Sequence, residues 1–263
     1  MSSLAGVPPS ERQNVRASMQ KKNDSRYLSD SIRQRLLEEI QSGAFLHATR
    51  LPPENELAEH FGVSRNMMRE CLTQIEREGM INRRRGVGTL INRRVVSADT
   101  RLDLVASLDS TLEKIGYKPS TDFIEATQEP AEGEVAKSLE LPPGSPLLVV
   151  ERVTRAGDRP AVHIKDYVSL AGLPKRKFTK RDFMPSIFTF LQKQANIEVY
   201  LNLTEIRALP APPRVADFLQ VEPGSPLLFL GEVGFDFGGR PVLYSEEYLI
   251  DRIIRHMILR KKI

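Results

Sequence analysis

The chain has 263 residues, 40% hydrophobic and 27% charged, a balance that excludes wholesale disorder and suits about two globular domains. No apolar run nears the roughly 20 residues that cross a bilayer, and the N-terminus lacks the apolar stretch of a secretory signal. With a single cysteine, Cys71, an internal disulfide is excluded, and a cytoplasmic protein is expected. The net charge of +4 is unevenly placed: residues 1–96 hold 16 Lys and Arg against 11 Asp and Glu, so the body is near neutral. A basic first third points to nucleic acid as its partner.

Residues 1–26 are polar, basic and non-periodic, and read as a flexible tail. From Tyr27 a helical pattern begins, with Ile32, Leu36, Leu37 and Ile40 on one face and Gly43 as a stop. A second helix follows Pro53, turning Leu57, Ala58 and Phe61 inward and ending at Gly62. Ser64 then caps a third, whose apolar stripe is Met68, Cys71, Leu72 and Ile75. The tight Gly62-Val63 connection makes the last two a helix-turn-helix. Ser64, Arg65, Asn66 and Arg69 lie off the stripe at the first turn of the third helix, where side chains reach base edges in a major groove. After Gly79, two short apolar stretches flank Arg85-Gly86-Val87-Gly88, a β-hairpin with glycines at its tip. Arg83, Arg84 and Arg85 entering that tip are the footprint of a DNA-contacting wing, with Arg84 expected on phosphate.

Residues 27–92 resemble the winged helix-turn-helix domain of the bacterial GntR family of transcriptional regulators. The resemblance is carried by Arg50-Leu51-Pro52-Pro53-Glu54, Glu56-Leu57-Ala58, Gly62-Val63-Ser64-Arg65, Arg69-Glu70, Glu78-Gly79 and Arg85-Gly86-Val87-Gly88-Thr89. It implies DNA contacts at Asn55, Ser64, Arg65, Asn66, Met67, Arg69, Arg85 and Gly86, with Arg50 on phosphate. Asn55 stands where relatives commonly carry arginine. Met67 offers an apolar contact to a thymine methyl.

Residues 93–104 are polar with few apolar positions and read as a linker, leaving 105–263 as the second domain. Its first helix runs from Leu108 to Ile115 and stops at Gly116. The remainder holds an internal repeat: Val135-Ala136, Leu139 and Pro143-Gly144-Ser145-Pro146-Leu147-Leu148 return 80 positions later as Val215-Ala216, Leu219 and Pro223-Gly224-Ser225-Pro226-Leu227-Leu228. Each copy reads as strand, helix, Pro-Gly turn and two strands joined by a glycine-bearing hairpin. Two such units form one antiparallel sheet with helices against it, related by a pseudo-two-fold. Polar residues on these apolar strands mark a pocket. Arg152 and Thr154 share one strand face, answered by Glu232 and Gly234, while His163, Lys165 and Tyr167 lie against Tyr244, Glu246 and Tyr248. If the copies face each other, these positions converge at the sheet centre.

Residues 105–255 resemble the UTRA ligand-sensing domain of the HutC-type branch of the same family, on both PGSPLL turns, Glu151-Arg152-Val153, and Tyr244-Ser245-Glu246-Glu247-Tyr248 with Asp251-Arg252. That likeness implies a chorismate-lyase-like α+β fold binding a small metabolite, an anionic one among the candidates, at Ser107, Arg152, Thr154, Glu246 and Tyr248. Tyr167 is expected to join them. Thr154 stands where binders of sugar phosphates tend to carry a second arginine.

No catalytic constellation is evident. His47, His60, His163 and His256 lack metal-ligand spacing, and no phosphate loop, dinucleotide fingerprint or nucleophile elbow occurs. No cofactor or metal is expected. The expectation is a homodimeric, ligand-responsive repressor that binds double-stranded operator DNA and no membrane, with a small metabolite altering operator affinity through the dimer. The alternatives are a constitutive DNA binder with a vestigial pocket, and a lyase-like enzyme with a DNA-binding head.

Overall fold

The computed structural model describes residues 28–98, 100–104, 107–184 and 186–260, and the side chains there except those of Phe123 and Ile124. The expected tail, with Tyr27, lies outside the described residues. The chain divides into two compact units, one up to Ala98 and one reaching Ile258.

In the first unit, α1 (28–41) buries Ile32, Leu36, Leu37 and Ile40, the stripe expected from its spacing. Helix α2 (Glu54–Phe61) ends at Gly62, whose positive φ of 65° is the left-handed stop that glycine adopts without a Cβ clash. Helix α3 (Arg65–Arg77) buries Met68, Cys71, Leu72 and Ile75. The Cys71 thiol donates to the Ser29 carbonyl at 3.4 Å, and burial raises its pKa, as fits a packing residue. A three-stranded sheet of order β1-β3-β2 completes the unit, from β1 (Arg50–Leu51), β2 (Ile81–Arg84) and β3 (Gly88–Ile91).

The stretch 93–104, expected as a linker, is instead divided between the units. Its start forms α4 (Arg93–Val96), which buries Val95 and Val96. Arg93 donates to the carbonyls of Ile40 (2.7 Å), Ala48 (3.1 Å) and Phe45, closing the C-terminal end of α1 and the turn after it. Thr100 and Leu102 exchange backbone hydrogen bonds with Met257 and belong to the second unit.

The second unit opens with α5 (Leu108–Lys114) and then presents the repeat: β4 (Pro119–Pro130), α6 (Gly133–Ser138), β5 (Pro146–Ala156) and β6 (Arg159–Ser169). After an insertion containing α7 (Ile187–Ala195), the second copy follows as β7 (Leu201–Pro210), α8 (Pro213–Leu219), β8 (Pro226–Phe235) and β9 (Pro241–Leu249). One six-stranded antiparallel sheet results, of order β4-β5-β6-β9-β8-β7, with the pseudo-two-fold between β6 and β9. The copies match in detail. Ala131 N donates to Ser145 O and Ala211 N to Ser225 O, both at 2.8 Å.

Both sheet faces are covered, which explains the near-continuous apolar runs of β5 and β8. On one face α7 packs Ile187, Phe190 and Leu191 onto Leu148, Val150, Val168 and Leu243, and Leu112 of α5 packs onto Val162, Ile164, Leu230 and Leu249. On the other, α6 covers Leu147, Val149, Tyr167 and Tyr244, and α8 covers Leu227.

Candidate DNA interface and effector site

Two groups of residues carry the chemistry, one in each unit. In the first, Ser64 caps α3, its Oγ accepting from Met67 N at 3.2 Å. Because the chain turns sharply at Gly62, the first turn of α3 projects Arg65, Asn66 and Arg69 into solvent. Met67 is half-buried beside them; Asn55 on α2 and Arg50 on β1 are exposed. Glu54 at the start of α2 accepts from both arginines, from Arg65 Nε at 3.0 Å and from Arg69 Nη2 at 2.8 Å. Burial pushes the Glu54 pKa up, but the two guanidiniums outweigh it and hold the carboxylate below its ordinary value.

At the wing, Arg84 pairs with Gly88 across a three-residue tip of Arg85, Gly86 and Val87. Gly86 has φ 80°, which keeps the tip open to close backbone approach. Arg84 and Arg85 are exposed, and among the described residues neither forms an ion pair. Arg83 is different: its side chain binds Glu76 at 2.8 Å and Thr73 at 2.9 Å, and its backbone N–H binds Glu76 as well. It ties the wing to α3 and is not available to phosphate, so only two of the three wing arginines face outward.

In the second unit the six expected effector residues do not converge. Arg152 and Thr154 point to the α5–α7 face, and Tyr167, Glu246 and Tyr248 to the α6–α8 face. The reason is a pair of β-bulges. A regular β5–β6 hairpin would set Arg152 opposite His163, but the register shift between Thr154 and Arg155 pairs it with Ile164. The second copy repeats the device between Gly234 and Phe235, pairing Glu232 with Ser245. One extra residue exchanges the two faces of everything beyond it.

The α5–α7 face therefore holds a polar cluster between its two apolar clusters. Arg152 Nη2 lies 3.1 Å from Asp166 Oδ2, and Ser245 Oγ donates to Asp166 Oδ1 at 2.6 Å. Burial raises the Asp166 pKa, opposed by Arg152 and Ser245. Glu247 shares this face, its pKa pushed up to about 8 by burial and by Glu232 and Asp166. Glu232 accepts from Asn202 at 3.1 Å and Thr204 at 2.7 Å on β7. Thr154 is buried; Ser107, which caps the short α5 by accepting from Ser110 N, is exposed. Asp166, Ser245 and Glu247 escaped the sequence reading because strand alternation counted through the hairpins without bulges assigns them to the opposite face. The repeated Arg-Pro at 159–160 and 240–241, next to each bulge, is the one local sign of the irregularity.

On the α6–α8 face, Tyr167 donates to Glu246 at 3.1 Å, and burial raises the pKa of both. Tyr248 packs on Phe229 with ring centroids 5.0 Å apart. Nearby, His163 is buried against Glu151 at 2.8 Å and stacked on Phe218, while Arg214 of α8 reaches Glu151 at 2.5 Å. Burial lowers the His163 pKa despite the carboxylate, whereas His163 and Arg214 hold Glu151 low against its own burial. The Arg214 and Phe218 contacts fasten α8 to the sheet.

The family comparisons decide what the two groups belong to. The model of the bacterial regulatory proteins of the gntR family matches residues 28–91, and the UTRA domain model matches residues 114–251. The chain belongs to the GntR family, in its UTRA-bearing branch. As such it is a ligand-responsive, DNA-binding transcriptional regulator. The HTH-type transcriptional regulator RB1450 of Rhizobium meliloti is 29% identical over 224 residues, covering 81% of this chain and 87% of that protein. The HTH-type transcriptional repressor NagR of Bacillus subtilis is 25% identical over 201 residues, covering 76% and 80%. The crystal structure of YydK, a possible transcriptional regulator from Bacillus subtilis, superposes with a TM-score of 0.71 at 18% identity, covering 88% of this chain and 99% of that one. At that identity the likeness concerns the fold: an N-terminal winged helix-turn-helix and a C-terminal antiparallel sheet domain.

Proposed function

We propose that this GntR-family regulator is a cytoplasmic, homodimeric repressor whose effector occupies the α5–α7 face of the UTRA sheet, against Arg152, Asp166, Ser245 and Glu247. The observation that carries this reading is the Arg152–Asp166–Ser245 cluster, enclosed between the α5 and α7 apolar clusters. Charged groups held apart from water are costly unless a bound molecule or fixed partners satisfy them, and such clusters concentrate at ligand sites. Thr154 lies on the same strand face as Arg152, one pleat along. The mixed charge of the cluster suits a ligand bearing both hydrogen-bond donors and acceptors better than a simple anion. Tyr167, Glu246 and Tyr248 are assigned to holding α6 and α8.

In the reading head, Arg65, Asn66, Met67 and Arg69 read base edges. Arg50, Asn55, Ser64, Arg84, Arg85 and the Gly86 backbone bear on the phosphates and groove walls. A two-fold dimer sets two such heads on successive major grooves of a pseudo-palindromic operator. An effector that favours one dimer conformation shifts operator affinity by about 5- to 150-fold. Repression as the output is supported by the name of the NagR relative. Among the described residues, no helix is long and apolar enough to cross a membrane.

Thermal-shift screening of metabolites, with and without operator DNA, tests the reading. A hit that stabilises the wild type, fails to stabilise Arg152→Ala and changes operator affinity is the expected result. Turnover of the hit would make the protein an enzyme. A complete screen without any hit would favour a constitutive DNA binder.

A further inference from the structure

The insertion between the two copies of the repeat carries a charge that neither the fold nor the effector reading uses. Five basic residues, Lys175, Arg176, Lys177, Lys180 and Arg181, stand against one acid, Asp182, in eight positions. The turn that holds them is firmly built. Asp182 accepts from Arg176 Nη1 at 3.2 Å and Nη2 at 2.5 Å, and from Thr179 N at 2.7 Å and Oγ1 at 3.0 Å. Arg176 and the Thr179 amide hold the Asp182 carboxyl well below its usual range, so it stays ionised and fully engaged. Arg176 also donates to Gln194 of α7 at 3.0 Å and lies 4.6 Å over the Phe178 ring, which packs edge-on against Phe190. Phe183, 1% exposed, roots the turn in the α7 cluster. Arg176 and Asp182 therefore cancel each other, and four cations are left over. Lys175, Lys177, Lys180 and Arg181 are exposed, and among the described residues none of them is ion-paired. The acids of β4, the strand beside this turn, are engaged elsewhere: Asp122 with Arg155, Glu125 with Arg214 and Glu129 with Lys165.

We propose that this turn is a second DNA-contacting surface, which lays its four free cations on the phosphate backbone of the duplex flanking the operator. Like charges crowded into one turn repel one another, and a surface tuned only for solubility intersperses the two signs. An ordered turn that concentrates one sign instead fits a polyanion. Duplex DNA, with one negative charge per about 1.7 Å of its axis, is such a polyanion and is already the partner of this chain. While the reading head holds the operator, the duplex beyond it stands at high effective concentration. Contacts too weak to act alone then still add to affinity. Three of the four cations are lysines, point charges that suit a phosphate and carry no base-reading fork. The turn thus adds affinity and salt dependence while leaving sequence preference to the reading head.

Fluorescence anisotropy of the full chain tests this on an operator selected from a random-sequence duplex library. One duplex ends at the operator; another continues past it on each side for about two helical turns, roughly 20 bp, of scrambled sequence. The wild type is expected to bind the longer duplex about tenfold more tightly near 0.1 M salt. Its log affinity should also fall more steeply against log salt, by about one for each cation engaged. The K175Q/K177Q/K180Q/R181Q variant should lose that advantage and the added slope, while binding the short duplex as the wild type does. Replacing the three lysines by arginine should keep both. Hydroxyl-radical footprinting should show protection of the flanks by the wild type and none by the glutamine variant. Circular dichroism confirms that the variants fold. Equal wild-type affinity for the two duplexes, or a glutamine variant that keeps the advantage, would overturn the proposal. So would wild-type binding to vesicles containing phosphatidylglycerol that the glutamine variant loses while its DNA binding stands unchanged.

Discussion

Glu54 holds Arg65 and Arg69 together, its Oε1 lying 3.0 Å from the one and 2.8 Å from the other. The two side chains proposed above to read bases are thus restrained by a carboxylate that itself repels phosphate. A guanidinium released to a base must exchange one acceptor for another, so wrong sequences gain little from the contact.

Replacing Glu54 removes that restraint. Glu54→Gln is expected to raise affinity for random duplex by about tenfold and operator affinity less, narrowing the ratio between them. Fluorescence anisotropy with both duplexes at one salt concentration measures it. An unchanged ratio would show that the arginines leave Glu54 at no cost.

Arg65 and Arg84 should fail differently. Arg65→Ala is expected to cost about 1–3 kcal/mol on operator and to relax discrimination at one base pair. Arg84→Ala should weaken binding to all sequences and reduce the slope of log affinity against log salt by about one. Salt titrations on operator and scrambled DNA separate the two. A sequence-independent loss at Arg65, or an intact slope at Arg84, would reverse the assignment.

Arg93 lies among the basic residues beside the wing yet serves the fold. Its guanidinium caps the carbonyls of Ile40 and Ala48. Arg93→Ala should cost about 1–3 kcal/mol of stability in urea, by leaving those acceptors unpaired. The salt slope of DNA binding should remain that of the wild type, and a lower slope would place Arg93 on phosphate.

Arg152 and Asp166 form a largely buried ion pair, so removing one side is more damaging than removing both. Arg152→Ala should cost about 3–5 kcal/mol and abolish the metabolite-induced thermal shift. Adding Asp166→Asn should recover much of the stability but not the response. Denaturation and thermal-shift data on the three proteins decide it; a recovered response would move the effector away from Arg152.

Glu247 makes stability depend on pH in a defined direction. Its folded pKa, about 8, lies above its unfolded value of 4.5, so between these the folded chain keeps a proton that the unfolded chain has lost. Stability therefore falls as pH rises across that window. Glu247→Gln should match the wild type near pH 4.5 and gain on it up to about pH 8, by about 2–4 °C in Tm for each kcal/mol recovered. Melting curves over that range check the sign; a gain confined to acid would refute it.

Much of the molecule is legible in its residues taken in order. The stripes Ile32, Leu36, Ile40 and Met68, Cys71, Ile75, the Ser64 cap, the Gly62 stop and the glycine-tipped hairpin are local signals. Each depends on neighbours within a turn or two, so sequence alone determines the winged helix-turn-helix. The 80-residue repeat likewise prescribes two matching halves of one sheet. What tertiary structure alone decided is which side chains meet. Arg83, Arg84 and Arg93 are the same residue type in one basic stretch, yet Glu76 and the end of α1 claim two of them. Arg152 meets Asp166, which Ser245 also binds, rather than Tyr167 and Glu246, because one extra residue per hairpin inverts the strand faces. Alternation along a strand is a local property, but register is set by the partner strand, and a bulge leaves the composition of both unchanged while exchanging core for site.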